Sequence, residues 1–547
     1  MISSAHLDTF ARDNLPPREQ WPDFLFSLPE LNYPDRMNCA VELLDRWIER
    51  GHGDHPCLIS PGESLTYSQL GERVNRIANV LTRDLGVVPG NRVLLRGPNS
   101  AMMVTTYFAA IKAGAVVVAT MPLLRAKEIA YPLNKAKITL ALCDVRLADE
   151  MEKARALAPD LRRVVYWGAR SDELNALMAK PGYETFAACD TASDDVCLIA
   201  FTSGTTGEPK GTMHFHRDIL ATCDSYGRHV LAAQSSDRFI GSPPLAFTFG
   251  LGGLVLFPLH VGGSTILLEK TAPDDLLAGI GEFRATVVFT APTAYRAMLG
   301  KLAGHDVSTM RKCVSAGEAL PKATFDAWLA ATGMGILDGI GATEMLHIFI
   351  GSPEAGIRPG ATGKPVPGYE ARVVDENGAP VPPNTLGRLA ARGPTGCRYL
   401  ADKRQSQYVQ NGWNVTGDTY LQDADGYFWY QARSDDMIVS AGYNIAGPEV
   451  EAALLAHPAV AECGVVGAPH EERGQIVKAY LVLRPGYTGD TALTKLLQDH
   501  VKATIAPYKY PRAIEYVATL PRTQTGKLQR FELRRMAAEP PTQKLAS

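Results

Sequence analysis

Short apolar runs alternate with amphipathic stretches along most of this chain. The runs Arg92–Arg96, Ala115–Thr120 and Val196–Phe201 are rich in valine, leucine and isoleucine, as strands buried on both faces are. Tyr67–Leu81 repeats its apolar residues at helical spacing, and Thr66 before it is a residue type that caps helices. The alternation predicts parallel sheets covered by helices.

The same rhythm continues along the chain and then changes. Further strands are predicted at Ile138–Cys143, Arg163–Trp167, Ser264–Leu268, Thr286–Phe289 and Lys312–Ser315. Residues 370–430 turn to short strands, which predicts a small β-barrel or distorted sheet. After a composition break near Arg433, helices and strands recur at Pro448–His457, Val460–Val466, Ala479–Leu483, Thr491–Lys502 and Ala513–Tyr516.

We therefore predict an α/β fold with two domains. The large N-terminal domain would span residues 1–433, with two parallel αβ sheet subdomains and a small β-barrel-like subdomain. The small C-terminal α+β domain would span residues 434–547.

Composition narrows the class of function. The net charge of the 547 residues is −3, from 55 basic and 58 acidic residues, which argues against nucleic-acid binding as the main role. Nine scattered cysteines without a C-x-x-C pair indicate reduced thiols and a cytoplasmic protein. The longest apolar stretches, 101–124 and 251–268, are interrupted by Lys112 and Pro258, so neither suits a membrane span; no signal peptide is recognised either.

The strand Val196–Phe201 runs into a loop rich in glycine and hydroxyl groups, Thr202–Gly211. Glycines let backbone N–H groups approach an oxyanion, hydroxyls donate further hydrogen bonds, and a lysine adds positive charge. The spacing is not that of a Walker A loop, so the loop predicts a nucleotide-phosphate site of another kind. The residues expected to contact phosphate are Thr202, Ser203, Gly204, Thr205, Thr206 and Lys210.

This loop resembles the phosphate loop of the adenylate-forming enzymes, which include acyl- and aryl-CoA synthetases, adenylation domains and luciferases. Further stretches resemble the same superfamily in the same order along nearly the whole chain: Ser315–Leu320, Leu337–Glu344, Gly412–Asp418, Arg433–Tyr443 and Pro521–Leu528. One position departs from the pattern, since Gly387-Arg388 stands where the family often has Gly-Glu.

The resemblance implies that ATP and Mg²⁺ activate a carboxylate as its adenylate and that a thiol, coenzyme A, then displaces AMP. Thr343 would hold the α-phosphate and Glu344 would help to hold magnesium, which takes oxygen ligands. Asp418 would contact the ribose hydroxyls, with Arg433 as a second contact. The adenine-side residues would be Gly317, Glu318, Ala319, Asp338, Gly339 and Ile340.

The C-terminal domain would be mobile, as in the family. Lys527 would reach the substrate carboxylate and the α-phosphate in the first half-reaction. The domain would then turn about Asp435 and present Gly442 at the coenzyme A tunnel. Lys527, Thr343 and Glu344 are the predicted catalytic residues.

The acid pocket is predicted to be a short flat slot, because aromatic and small residues combine in the segments that would line it. Its residues would be Phe247, Thr248, Phe249, Ala316, Gly341, His347 and Ile348. The segments resemble the benzoate–CoA ligase branch, with Phe249 in place of a tyrosine. Thr248 would hydrogen-bond a ring substituent, and together with residues 213–216 it favours 2-aminobenzoate.

Several alternatives stay open from the sequence. The chain would otherwise be an aryl acid adenylating enzyme that loads a carrier protein, a medium-chain acyl-CoA synthetase, or an inactive binding or regulatory relative. His214 and His216, at i and i+2, are expected to share one face of a strand, but a zinc site there lacks a third ligand nearby. The sequence leaves a monomer and a homodimer equally open.

Overall fold

The computed structural model describes residues 3–168, 173–202, 208–433, 436–440, 443–470, 473–505, 507–523 and 526–538. In these ranges the strands are β1 Pro56–Ser60, β2 Glu63–Thr66, β3 Arg92–Arg96, β4 Val116–Thr120, β5 Leu140–Asp144, β6 Arg163–Trp167, β7 Val196–Phe201, β8 Gly211–Phe215, β9 Arg238–Gly241, β10 Ser264–Ile266, β11 Val287–Thr290, β12 Lys312–Ser315, β13 Ile336–Gly341, β14 Ile348–Gly351, β15 Lys364–Pro365, β16 Glu370–Val374, β17 Gly387–Arg392, β18 Val409–Gln410, β19 Trp413–Gln422, β20 Phe428–Arg433, β21 Ile438–Ser440, β22 Tyr443–Ile445, β23 Val460–His470, β24 Gly474–Leu483 and β25 Ala513–Tyr516.

The α-helices are α1 Phe10–Asp13, α2 Tyr67–Asn79, α3 Ala101–Lys112, α4 Ala126–Lys135, α5 Ala148–Arg155, α6 Glu173–Met178, α7 His216–Thr222, α8 Thr248–Leu251, α9 Phe257–His260, α10 Pro273–Phe283, α11 Pro292–Leu299, α12 Lys322–Thr332, α13 Gln405–Tyr408, α14 Gly447–Leu455, α15 Thr491–Thr504 and α16 Arg530–Ala538. Helical turns of π type lie at Val41–Asp45, Ile48–His52, Val80–Asp84, Cys223–Gly227 and Gly252–Leu256, and 3-10 turns lie at Arg18–Gln20, Pro29–Leu31, Val145–Leu147, Thr343–Met345, Glu354–Gly356 and Pro507–Lys509.

Two largely parallel sheets form the N-terminal part, as predicted. One has the order β6-β5-β3-β4-β7-β8, and only its edge strand β8 runs antiparallel to its neighbour. The other has the order β15-β14-β13-β12-β11-β9-β10-β1-β2, with antiparallel pairs at both ends. The central strands are buried along most of their length, which explains why they are continuous apolar runs in the sequence.

The two remaining sheets are smaller. One is antiparallel, with the order β16-β17-β19-β18 and β20 on β19, and it accounts for the predicted β-barrel-like part. The other has the order β22-β21-β24-β23 with β25 on β24. Strand β20, which ends at Arg433, belongs to the first of these sheets, and β21, which starts at Ile438, belongs to the second. The domain boundary at residues 433 and 434 stays a prediction.

Local signals explain several boundaries. Helix α2 starts at a capping box, in which the Thr66 hydroxyl accepts from the Gln69 N–H at 3.3 Å and the Gln69 side chain accepts from the Thr66 N–H at 2.9 Å. The hairpin β23–β24 runs further than predicted, to His470 and Gly474. The described residues near its tip, such as His470 and Gly474, are exposed, so the apolar pattern marked only the more buried part of each strand.

Two further expectations concern the whole chain. All nine cysteines lie in the described residues and are free thiols, most of them buried. Within the same residues, none of the helices has the length and apolar character that crossing a membrane requires.

Candidate active site

The phosphate loop leaves the sheet at one edge and returns to it beside the strand that it left. Strands β7 and β8 pair antiparallel, with Phe201 opposite Gly211. Beyond this pair, the Thr202 N–H donates to the Lys210 carbonyl at 2.9 Å, and the Lys210 N–H donates to the Thr202 hydroxyl at 3.2 Å. The base of the loop is therefore clamped, whereas Ser203, Gly204, Thr205 and Thr206 lie outside the described residues.

The structure brings Lys210 and Glu344 together. Nζ of Lys210 lies 3.8 Å from Oε1 of Glu344, whose side chain is almost fully buried. Glu344 belongs to the 3-10 turn Thr343–Met345, which follows β13. The Tyr399 hydroxyl donates to the same oxygen, Oε1 of Glu344. A cation and an anion thus meet at the base of the predicted phosphate loop.

His214 on β8 hydrogen-bonds to the backbone of Thr343. Nε2 of His214 lies 2.9 Å from the Thr343 carbonyl oxygen, which can only accept, so Nε2 carries the proton. The other ring nitrogen, Nδ1, lies 3.8 Å from Asp218, and Asp218 pairs with Arg398. His214, Asp218 and Arg398 are fully buried. Burial raises the pKa of Asp218, but the charges of Arg398 and His214 outweigh burial and leave that pKa below its ordinary value.

The expectation that His214 and His216 share a strand face is wrong. Strand β8 ends at Phe215, and His216 is the first residue of helix α7. His216 instead accepts the Cys39 N–H at its Nδ1, at 3.2 Å, and lies close to the thiols of Cys39 and Cys197. The two histidines therefore serve different parts of the core, because the strand ends between them.

Several of the predicted nucleotide-side residues lie near Lys527. Gly317 has φ +91°, and a Cβ placed on it would lie 3.4 Å from Cε and 3.6 Å from Nζ of Lys527. Lys527 keeps an exposed surface, yet desolvation by the surrounding protein lowers its pKa; Arg433 acts in the same sense, whereas Glu318 and Asp418 oppose the shift. Burial raises the pKa of Glu318. The predicted catalytic lysine therefore lies close to Gly317 and to the charges of Glu318, Asp418 and Arg433.

The predicted ribose contacts also lie together. Nη1 of Arg433 is 3.2 Å from Oδ1 of Asp418, on neighbouring strands β19 and β20. A Cβ on Gly417 would lie 2.5 Å from Nη2 of Arg433, so glycine leaves room for the guanidinium. Asp435 and Gly442, the predicted hinge and tunnel residues, lie outside the described residues.

The adenine-side residues lie on and after β12 and β13. Asp338, Gly339 and Ile340 are consecutive on β13, and Ala319 is exposed at the turn after β12. Burial raises the pKa of Asp338 to about 8, and its Oδ1 is buried without a hydrogen-bond partner among the described residues. A carboxyl that is largely protonated at neutral pH can donate as well as accept a hydrogen bond.

The predicted acid pocket centres on His347. Its ring packs against Phe257 at 4.6 Å, Tyr226 at 5.4 Å and Phe249 at 5.7 Å between centroids. Burial lowers the pKa of His347 to about 3 against a weaker opposing effect of the Phe249 backbone, so the imidazole is neutral. Neither ring nitrogen has a hydrogen bond of normal geometry to the described part of the chain. The other pocket residues lie at the ends of nearby elements: Phe247 and Thr248 at the start of α8, Ala316 after β12, Gly341 at the end of β13 and Ile348 at the start of β14.

Sequence reasoning missed Tyr399, Arg398 and Asp218. Tyr399 is 55 residues from Glu344, and Arg398 is 180 residues from Asp218. These residues belong to none of the motifs quoted above. Only the pairing of residues 398–400 with β8 brings them to the site.

Comparison with known proteins places the chain in a family. Residues 44–399 match the family of AMP-binding enzymes, and residues 449–527 match the AMP-binding enzyme C-terminal domain. Benzoate–CoA ligase of Thauera aromatica is 39% identical over 513 residues, which cover 92% of this chain and 97% of that protein. The crystal structure of the anthranilate CoA ligase AuaEII in complex with anthranoyl-AMP has a TM-score of 0.89 and 38% identity, covering 93% of this chain and 99% of that one. A benzoate CoA ligase from Burkholderia xenovorans LB400 has a TM-score of 0.84 and 33% identity, covering 91% of this chain and all of that one (100%). The chain therefore belongs to the AMP-binding enzyme family, and it is an AMP-forming ligase of the benzoate–CoA ligase branch.

Proposed function

We propose that this enzyme is an aryl-CoA ligase that activates a benzoate-type acid with ATP, and that 2-aminobenzoate is its preferred acid. The acid would become an acyl-adenylate with release of diphosphate, and coenzyme A would then displace AMP to form the thioester. The identity of the chain to benzoate–CoA ligase over nearly the full length of both proteins supports the class of reaction. The likeness to a ligase solved with anthranoyl-AMP supports the choice of acid.

The arrangement of cations suits the first half-reaction. When a carboxylate attacks the α-phosphorus, negative charge develops on the phosphate oxygens, and positioned cations and N–H donors stabilise it without a protein nucleophile. Lys527 lies near Gly317 and Arg433, and Lys210 lies 3.8 Å from Glu344; we expect these three cations to face the bound nucleotide. Thr343 would hold the α-phosphate between them. Lys527 would serve this half-reaction only, as the family resemblance implies.

Glu344 is the residue that would hold Mg²⁺. Its carboxylate fits a hard cation, since Oε1 is occupied by Tyr399 and Oε2 accepts no hydrogen bond from the described residues. The bound cation would offset charge on the phosphates. Turning of the C-terminal domain about Asp435, and passage of coenzyme A beside Gly442, remain part of the proposal.

The single observation that carries the choice of acid is the neutral imidazole of His347, which lies within aromatic rings and has no well-formed hydrogen bond to the described residues. An unsatisfied buried polar group costs about 1–3 kcal/mol. A flat ring would pack against Phe249 and Ala316, and a polar substituent on that ring would supply the missing hydrogen bond at His347 or at Thr248. An aliphatic chain would supply none, so an aryl acid with a polar substituent suits the pocket best.

The test measures AMP and thioester formation with ATP, Mg²⁺ and a panel of benzoate, 2-aminobenzoate, 2- and 4-hydroxybenzoate, hexanoate and acetate, with and without coenzyme A. We expect turnover that depends on coenzyme A and is highest with 2-aminobenzoate. Turnover with aliphatic acids alone would contradict the flat slot. An adenylate that coenzyme A does not discharge would point to a carrier protein, and no turnover with any acid would indicate an inactive relative.

A matched pair of variants tests the pocket itself. His347→Phe keeps an aromatic ring but loses both nitrogens, so kcat/KM for 2-aminobenzoate should fall about 10- to 100-fold towards the value for benzoate. Thr248→Val keeps the shape and removes one hydroxyl, and it tells which of the two residues meets the substituent. Equal loss for benzoate and 2-aminobenzoate in both variants would mean that neither residue reads the substituent.

We also propose a cytoplasmic enzyme whose ligands are ATP, Mg²⁺, coenzyme A and an aromatic carboxylate. The nine free thiols and the nearly balanced charge support this assignment.

A further inference from the structure

Tyr399 touches both charged residues at the base of the phosphate loop. Its hydroxyl donates to Oε1 of Glu344 at 2.5 Å, and Nζ of Lys210 lies 5.0 Å from the centre of its ring. Lys210 and Glu344 are themselves 3.8 Å apart. One fully buried phenol therefore bridges a cation and an anion whose positions matter for nucleotide binding.

The backbone of Tyr399 is fixed to the strand that follows the loop. The Met213 N–H donates to the Arg398 carbonyl, and the Leu400 N–H donates to the Gly211 carbonyl, both at 2.8 Å. The Tyr399 N–H donates to the Gln405 side chain at 2.9 Å. Since Gly211 comes directly after Lys210, the phenol and the loop are held in register by the same hydrogen bonds.

The direction of the Tyr399–Glu344 bond follows from charge. A carboxylate oxygen can only accept a hydrogen bond, so the phenol hydroxyl is the donor. In the described part of the chain, this carboxylate accepts a hydrogen bond at Oε1 alone. Residues that hydrogen-bond to a metal ligand in this way orient that ligand. Replacing such a residue usually weakens metal binding.

We propose that Tyr399 is a positioning residue for nucleotide binding: its hydroxyl fixes the Glu344 carboxylate and thereby sets the affinity of the site for ATP in the presence of Mg²⁺. This inference rests on the proposed function, in which Glu344 holds the cation. Tyr399 does not touch the reacting atoms; it acts through Glu344.

The chain offers a matched control at Tyr408. The ring of Tyr408 packs against that of Tyr399, at 5.8 Å between centroids, and its hydroxyl is buried without a hydrogen-bond partner among the described residues. Tyr399→Phe and Tyr408→Phe therefore remove the same atom from neighbouring rings, although the residue Tyr408 as a whole is only partly buried. Only the first removal breaks a bond to Glu344.

The experiment titrates the full-length enzyme with the non-reactive analogue α,β-methylene ATP by calorimetry, at a series of Mg²⁺ concentrations and without Mg²⁺. At limiting Mg²⁺ the Kd of Tyr399→Phe should rise about 10- to 100-fold, and that of Tyr408→Phe should stay within about twofold of the wild type. Without Mg²⁺ all three proteins should bind the analogue with similar weak affinity.

A double-mutant cycle with Glu344→Gln tests the route of the effect. If Tyr399 acts through Glu344, Tyr399→Phe should have almost no further effect in the Glu344→Gln background. Additive losses, a loss that is the same without Mg²⁺, or equal losses in the Tyr399 and Tyr408 variants would overturn the proposal. Binding needs no acid, so a wild-type enzyme that binds the analogue but makes no thioester would refute the proposed function and leave this test intact.

Discussion

Replacing Asp218 with asparagine removes the charge that balances a buried guanidinium. Asp218 and Arg398 are both fully buried, and Arg398 lies over the ring of Phe215 at 3.9 Å. Asparagine can still accept the Phe215 N–H, which Asp218 accepts at 2.9 Å, so the change is chiefly electrostatic. Leaving one partner of a buried pair uncompensated costs about 3–5 kcal/mol. That is a large part of the roughly 5–15 kcal/mol that stabilises a typical domain.

The assay is denaturant unfolding at neutral pH, followed by tryptophan fluorescence and circular dichroism. The double variant Asp218→Asn/Arg398→Met is the control, because it removes both charges and should recover most of the lost stability. A loss below about 1 kcal/mol in the single variant, the range of exposed pairs, would refute the reasoning. So would a double variant that is as unstable as the single one.

The pH dependence of the same variant has a defined sign. The pKa of Asp218 lies below 3.8 in the folded protein, so the ion pair contributes its full stability above that value and loses it as pH falls through the lower folded pKa. The difference in stability between the wild type and Asp218→Asn should therefore be constant at neutral pH and shrink only in acid. A difference that already disappears near about pH 6 would implicate another group.

Three further predictions concern the site. Lys527→Ala should lower the rate of adenylate formation about 10²- to 10³-fold but spare thioester formation from supplied aroyl-adenylate, as separate half-reaction assays would reveal. The melting temperature of Asp338→Asn minus that of the wild type should increase as pH rises from about 5 to about 9. The reason is that the wild type, with a folded pKa near 8, loses stability as this carboxyl ionises. A difference in melting temperature that does not change with pH would contradict this. Gly417→Ala should displace Arg433 and raise KM for ATP severalfold with little change in stability, since the displaced group is the end of a flexible side chain, and an unchanged KM would mean that Arg433 is not needed for ATP binding.

The parts of the fold that could be predicted are those marked by consecutive residues of one kind, such as an apolar run. Strands β3, β6, β7 and β12 begin and end where their predicted runs do, because these strands are largely buried. The hairpin β23–β24 exceeds its predicted strands, since the polar tip gives no apolar signal. The phosphate loop and Lys527 were identified because their chemistry is concentrated in consecutive residues.

Contacts between distant segments could not be predicted in the same way. Tyr399, Arg398 and Asp218 are a tyrosine, an arginine and an aspartate in ordinary apolar surroundings, and each acquires its role from a partner far along the chain. A buried charge is costly unless it is paired, so the sequence alone suggests that such residues lie on the surface. The fold reverses this expectation because it brings residues 398–400 onto β8.

Leu346 shows why the sequence can predict two neighbouring site residues without predicting the turn that sets their relative positions. It is buried and has φ +68° and ψ −38°, a conformation that a leucine rarely adopts and that costs about 1–3 kcal/mol. This strained residue lies between Glu344, which contacts Tyr399 and lies near Lys210, and His347, which enters the aromatic pocket. The sequence predicted both Glu344 and His347 but gave no sign of the turn that separates them, since glycine or asparagine would mark such a turn and leucine does not. One short segment can therefore serve the phosphate site and the acid pocket because the packing around it overcomes the local preference of Leu346.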